Sequence, residues 1–120
     1  MSNVLIGTVA TLFALMGVVA LAKPGAILAP FGIHLNGVDG RNEVRAVYGG
    51  FGIAMSVLLI VAIQSVRLRD GIVVAVAGPL AGMAAGRIVS GVLDGSFGGY
   101  PRIFFIVETV LAAILLLSIL

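Results

Sequence analysis

The alternation of apolar and polar residues divides the chain into four long apolar runs, separated by breaks that carry most of its charges and turn residues. None of the runs keeps the two-residue period of a half-buried strand, and each approaches the roughly 20 residues that a helix needs to cross a bilayer. The expected spans are residues 4–21, 42–66, 71–93 and 103–120. Met1-Ser2-Asn3 lacks a basic leader region, so the first run reads as a span and not as a signal peptide. Lys23-Pro24 ends it, because proline cannot continue a helix and disfavours helical geometry in the residue before it. The predicted fold is all-α: a polytopic membrane protein built as one four-transmembrane-helix bundle over residues 1–120, with a short interfacial segment between helices 1 and 2.

The breaks refine this picture. Gly25 to Leu35 is apolar but too short to cross and is interrupted by Pro30 and Gly32, which suits a segment lying along the bilayer surface with His34 at headgroup level. Asn36 to Gly40 reads as a turn, with Asp39 as a candidate cap for the next helix. Gly49, Gly50 and Gly52 near the entrance of the second span allow close approach of a neighbouring backbone. Arg67-Leu68-Arg69-Asp70-Gly71 reads as a tight polar connector with solvated charges. In the third span Gly78, Gly82, Gly86, Ser90 and Asp94 recur every four residues, a small-residue stripe suited to helix packing at its three glycines, and Pro79 is a candidate kink. Asp94 to Pro101 is a glycine-rich reversal with aromatics suited to an interface.

Composition supports the membrane reading. Hydrophobic residues make up 61% of the 120 and charged residues 10%, where soluble domains average about 45–50% and about 25%. Seven Lys and Arg against five Asp and Glu form no basic stripe, so nucleic-acid binding is not expected. The chain has no cysteine and a single histidine, which excludes thiolate metal sites, and no metal or cofactor is expected.

The charges themselves form the candidate site. Threading four spans brings the start of span two, the end of span three and the start of span four into one leaflet. Arg41, Arg45 and Tyr48, spaced i, i+4 and i+7, share a helix face there, joined by Glu43, Arg87, Ser90, Asp94 and Glu108. An isolated charge at mid-span costs at least about 2.5–3.5 kcal/mol, so Arg87 and Glu108 are expected to neutralise each other, with Glu43 and Arg45 able to join them. The cluster either fastens apolar helices together or lines a polar cavity in which arginines clamp an anionic group.

Gly40-Arg41-Asn42-Glu43-x-Arg45-Ala46-x-Tyr48-Gly49-Gly50, followed by Gly86-Arg87-x-x-Ser90, Leu93-Asp94-Gly95 and Glu108, resembles a family of small bacterial four-helix membrane proteins known only as a domain of unknown function. The resemblance spans essentially the whole chain. It implies four spans and an inner-membrane location, and it marks Arg41, Asn42, Glu43, Arg45, Tyr48, Arg87, Ser90, Asp94 and Glu108 as family positions. It implies no activity.

Two functions follow as expectations. One is a membrane-embedded binding or accessory subunit, or a homo-oligomer joined through Gly78, Gly82 and Gly86, with a lipid or anionic ligand in the charged cluster. The other is an intramembrane acid–base enzyme of isomerase type acting on a lipid or apolar substrate. Glu43 or Glu108 would then carry the proton, Tyr48 would donate a hydrogen bond, and Arg45 and Arg87 would hold the developing oxyanion. With Arg41 and Arg45 set aside as internally paired, the remaining loop charges balance, and both termini are expected in the cytoplasm.

Overall fold

Backbone hydrogen bonding in the computed structural model, which describes residues 1–120, is helical throughout, with no strand. The helices are α1 (Ser2–Ala22), α2 (Pro24–Leu28), α3 (Val38–Val44), α4 (Phe51–Gln64), α5 (Val66–Asp94) and α6 (Gly99–Leu117). A 3₁₀ turn, Ala29–Phe31, follows α2, and a π-helical segment, Arg45–Gly50, joins α3 to α4 without a break. The long helical stretches are therefore four: Ser2–Ala22, Val38–Gln64, Val66–Asp94 and Gly99–Leu117, each long and apolar enough to cross a membrane.

The helices lie in the order α1, α4, α5, α6, with α1 and α4 and then α5 and α6 forming the two closest pairs. The bundle is flattened, with principal extents of 43 × 33 × 18 Å. Its core comprises Ile6, Val9, Ala10 and Phe13 of α1, Leu59 and Ala62 of α4, Val73 to Leu80 of α5, and Ala112 and Leu115 of α6. These positions all lie toward the end that holds both termini. At the other end α1 and the second span meet through glycine. A Cβ on Gly17 would come within 2.9 Å of the Gly49 carbonyl, and one on Gly52 within 3.0 Å of the Phe13 carbonyl. Close backbone approach replaces side-chain packing there, as expected where lipid provides no hydrophobic drive between helices.

Two sequence expectations need correction. Arg67 to Gly71 is not a connector but the opening of α5, because a single extended residue, Ser65, ends α4 and caps α5, its hydroxyl accepting from the Leu68 N–H at 3.3 Å. Nor is Arg69 a free charge: its Nε donates to the Ala62 carbonyl at 2.9 Å, and its Nη2 to the Ile63 carbonyl at 3.0 Å and to Asn3 Oδ1 at 3.3 Å. The last carbonyls of α4 have no helical donor, and a cation at that negative end satisfies them. Asp39, the second correction, does not cap. Gly37 occupies the N-cap position, and Asp39 lies in the first turn of α3, where a carboxylate still complements the helix dipole.

Replacing Arg69 by Ala removes both carbonyl bonds at once and is expected to cost about 1.5–3 kcal/mol, the range for hydrogen bonds involving a charged group. Arg69→Lys should recover only part of this, because a lysine lacks the fork. Denaturant unfolding in micelles, followed by helical circular dichroism, measures the loss; an unchanged midpoint for Arg69→Ala would contradict the capping role.

Candidate functional site: a polar groove beside a buried ion pair

The turn between α5 and α6 positions the site. Gly95 and Gly98 adopt φ of +69° and +77°, a region open to glycine and strained for other residues, so α5 stops at Asp94 and α6 begins at Gly99. Phe97 folds back onto α5 at Gly91, where a Cβ would sit 2.6 Å from its ring. The reversal sets Arg87, about 10 Å inside the end of α5, beside Glu108, about 13 Å inside the start of α6, at 1.5 Å per residue.

Arg87 and Glu108 form a two-pronged pair, Nε to Oε1 at 2.5 Å and Nη2 to Oε2 at 3.0 Å. Glu108 is 5% exposed, whereas the Arg87 side chain retains 26%. The guanidinium carbon also lies 5.8 Å from the ring centre of Phe31 and 5.6 Å from that of Phe104, within reach of a cation–π interaction. Phe31 in turn packs against Phe104 and Tyr100 at 5.2 and 6.2 Å. The segment between α1 and α3 thus reaches the ion pair through one aromatic, held between Pro30 and Gly32.

On its other side Arg87 faces an open groove of about 690 Å³, lined also by Tyr48, Ser90, Asp94 and Ser96, with Met83, Gly86 and Phe97 among the apolar contributors. Arg87, Ser90 and Asp94 occupy one face of α5 at i, i+3 and i+7, and Tyr48 comes from the π segment of the second span. The side chains gathered here are hydroxyls, one carboxylate and an arginine whose Nη1 makes no hydrogen bond within the chain. No group of three or more His, Asp or Glu side chains assembles to hold a metal ion.

Four of the nine cluster residues expected from sequence, Tyr48, Arg87, Ser90 and Asp94, line this groove, and Glu108 lies behind Arg87. Arg41, Asn42, Glu43 and Arg45 do not line it. Arg45 donates through Nε to the Leu21 carbonyl at 3.0 Å, at the end of α1, where Pro24 supplies no N–H to the terminal carbonyls. Glu43 is exposed, and the Arg87–Glu108 pair is the one ion pair in the structure, so the expected joining of Glu43 and Arg45 to that pair does not occur. Arg45 and Tyr48 serve different places because the wider i→i+5 turns of the π segment change the angular spacing that would align them on a regular helix. The glycine stripe is also placed differently from a packing face within the chain. Gly78, Gly82 and Gly86 are exposed, and a Cβ on any of them would meet nothing within 4 Å.

Phe31, Ser96, Phe97 and Phe104 were not among the sequence candidates. Ser96 and Phe97 sit in a glycine-rich reversal flanked by Asp94, a signal that could have pointed to them. Phe31 had none beyond its position between a proline and a glycine.

A family profile matches residues 1–119, which is the whole chain but for its last residue. The chain belongs to the family described as a domain of unknown function, DUF4345. No curated protein and no solved structure matches it.

Removing one partner of the ion pair leaves a charge in an apolar setting. Glu108→Gln and Arg87→Met are each expected to destabilise the bundle by about 3–5 kcal/mol, with Arg87→Met nearer the lower figure because its side chain is partly wet. The double variant Arg87→Met/Glu108→Leu should regain most of that stability. Midpoints that add across the double variant would show that the two side chains act independently.

Proposed function

We propose that this DUF4345 protein is a multi-pass membrane protein that binds a small amphiphilic molecule in the groove between Tyr48 and the end of α5. The observation that carries this reading is the groove itself. Its volume of about 690 Å³ lies within the roughly 300–1,000 Å³ of small-molecule sites, and its wall combines a few convergent polar groups with apolar surface. It sits where α5, at 29 residues, is long enough to carry Asp94 out of a hydrocarbon core of about 30 Å. A ligand there would place its headgroup among Tyr48, Ser90, Asp94 and Ser96, and its apolar part against Met83 and Gly86. Binding is favoured over acid–base catalysis because Glu108 is held on both oxygens by Arg87, and Glu43 does not line the groove. Neither carboxylate is placed to exchange a proton with a molecule bound there.

Gly86→Leu tests the reading directly, since Gly86 lines the groove and a Cβ there meets nothing within 4 Å. Native mass spectrometry from nonionic detergent should show a retained amphiphile on the wild type and its loss from Gly86→Leu, with helicity unchanged. The same adduct on both proteins would reject the proposal. Gly82→Leu is the companion variant. The exposed Gly78 and Gly82 favour a second reading, a homo-oligomer or accessory subunit joined through this face of α5, and in that case Gly82→Leu should disperse the assembly while sparing the adduct.

The membrane we assign is a bacterial inner membrane. Lys23, Arg41 and Arg102 lie at the groove end and make no ion pair, while Arg67 stands at the other end beside the engaged Arg69. This balance favours the groove end in the cytoplasm. It reverses the expectation from sequence, which treated Arg41 as paired along with Arg45. The chain has no cysteine, so single replacements report the orientation. Ser2→Cys should react with an impermeant maleimide applied to intact cells, and Gly99→Cys only after permeabilisation; the opposite pattern would restore the termini to the cytoplasm.

A further inference from the structure

The electrostatics at the end of α5 narrow the ligand further, given the amphiphile-binding reading above. Asp94 is the last residue of α5, lines the groove and forms no ion pair. Gly95 leaves the helix in the left-handed conformation, and no backbone N–H beyond α5 bonds back to its terminal carbonyls. Those carbonyls form the negative end of the helix dipole, and a carboxylate beside them adds to the negative potential where a cation would be the favourable neighbour. The one cation in the groove wall, Arg87, is already neutralised by Glu108 through two hydrogen bonds. Arg87 and Glu108 cancel, Asp94 remains, and the hydroxyls of Tyr48, Ser90 and Ser96 are neutral. The side chains that line the groove therefore carry a net negative charge, with Lys23, Arg41 and Arg102 at the same end of the bundle but outside the groove wall, contrary to the anion clamp expected from sequence.

From this we infer that the groove selects an amphiphile with an ammonium headgroup. The ammonium is held by Asp94 and the uncapped carbonyls of α5, with the surrounding hydroxyl oxygens accepting its remaining hydrogen bonds. The apolar chain runs from there along Gly86 and Met83, which line the groove and extend it about 16 Å from Asp94 to Met83 at 1.5 Å per residue. A phosphate or carboxylate headgroup in the same place meets Asp94 and the helix end with like charge, and Arg87 can offer it only Nη1, because Nε and Nη2 are held by Glu108 and releasing them would leave that carboxylate unpaired in an apolar setting.

The test uses the full chain in phosphatidylcholine nanodiscs, observed by amide NMR at Gly86, Gly91, Gly95 and Gly98, and titrated separately with dodecylammonium and dodecyl phosphate. A further arm dopes the discs with phosphatidylethanolamine, which separates a lipid headgroup from a free long-chain amine as the source of the ammonium. Saturable shifts at these glycines with dodecylammonium or phosphatidylethanolamine, absent with dodecyl phosphate, support the inference. Asp94→Asn should then weaken binding about tenfold or more, as loss of a charge-assisted hydrogen bond implies, and Asp94→Glu should restore part of it. Equal or tighter binding of dodecyl phosphate, or ammonium binding indifferent to Asp94→Asn, would overturn it. If those indifferent probes are still expelled by Gly86→Leu, the ammonium assignment falls and the amphiphile site stands. If no probe moves the groove glycines, both fall.

Discussion

A charge buried among apolar side chains must be neutralised where it stands, and in this bundle that constraint is met by Arg87 and Glu108. Both lie well inside their helices, and each would be a severe liability alone. Paired on two hydrogen bonds, they fix the rotation and axial position of α5 against α6, because the fork of a guanidinium fits a carboxylate in only a few orientations. Apolar contacts supply no such register on their own, because they are non-directional. The pair thus does for the groove half of the bundle what the interlocked core around Leu59, Val76 and Leu115 does for the other half.

The same logic recurs at the helix ends. Arg69 closes the carbonyls at the end of α4, and Arg45 takes one at the end of α1. Arginine is used in all three places, and in two of them its Nε together with a second nitrogen reaches paired acceptors that a lysine could not match. The chain contains six arginines and one lysine, and half of those arginines serve to hold helices. Lys23, Arg41, Arg67 and Arg102 make no ion pair, and none of them lines the groove, whose charged side chains are Arg87 and Asp94.

The π segment separates two duties that the sequence places side by side. Arg45 belongs to the contact with α1, while Tyr48, three residues later, belongs to the groove wall. Widening the helix at this point allows Gly49 to press against Leu21 of α1 and still presents Tyr48 toward α5. The seam between α1 and the second span is close because Gly17, Gly49 and Gly52 have no side chains to keep the backbones apart. The stripe of Gly78, Gly82 and Gly86, equally rich in glycine, remains open because no helix of the chain lies over it.

Four long helices, the break at Pro24, the glycine reversal before α6 and the partnership of Arg87 with Glu108 were all legible in the amino-acid sequence. Each follows from local chemistry or from the high cost of an unpaired charge among apolar residues. The sequence also placed Tyr48, Ser90 and Asp94 at one end of the bundle, where they line the same groove, because periodicity along α5 and simple threading bring them there. Periodicity could not reveal which of two glycine-rich faces would be covered, because that depends on which helix lies alongside. It could not separate Arg45 from Tyr48, because a π turn breaks the helical spacing on which the alignment rests. Nor could it assign Arg69 to the end of α4 or bring Phe31 over the ion pair, since those contacts join residues through space. Tertiary structure alone decided these, and with them which side chains line the groove.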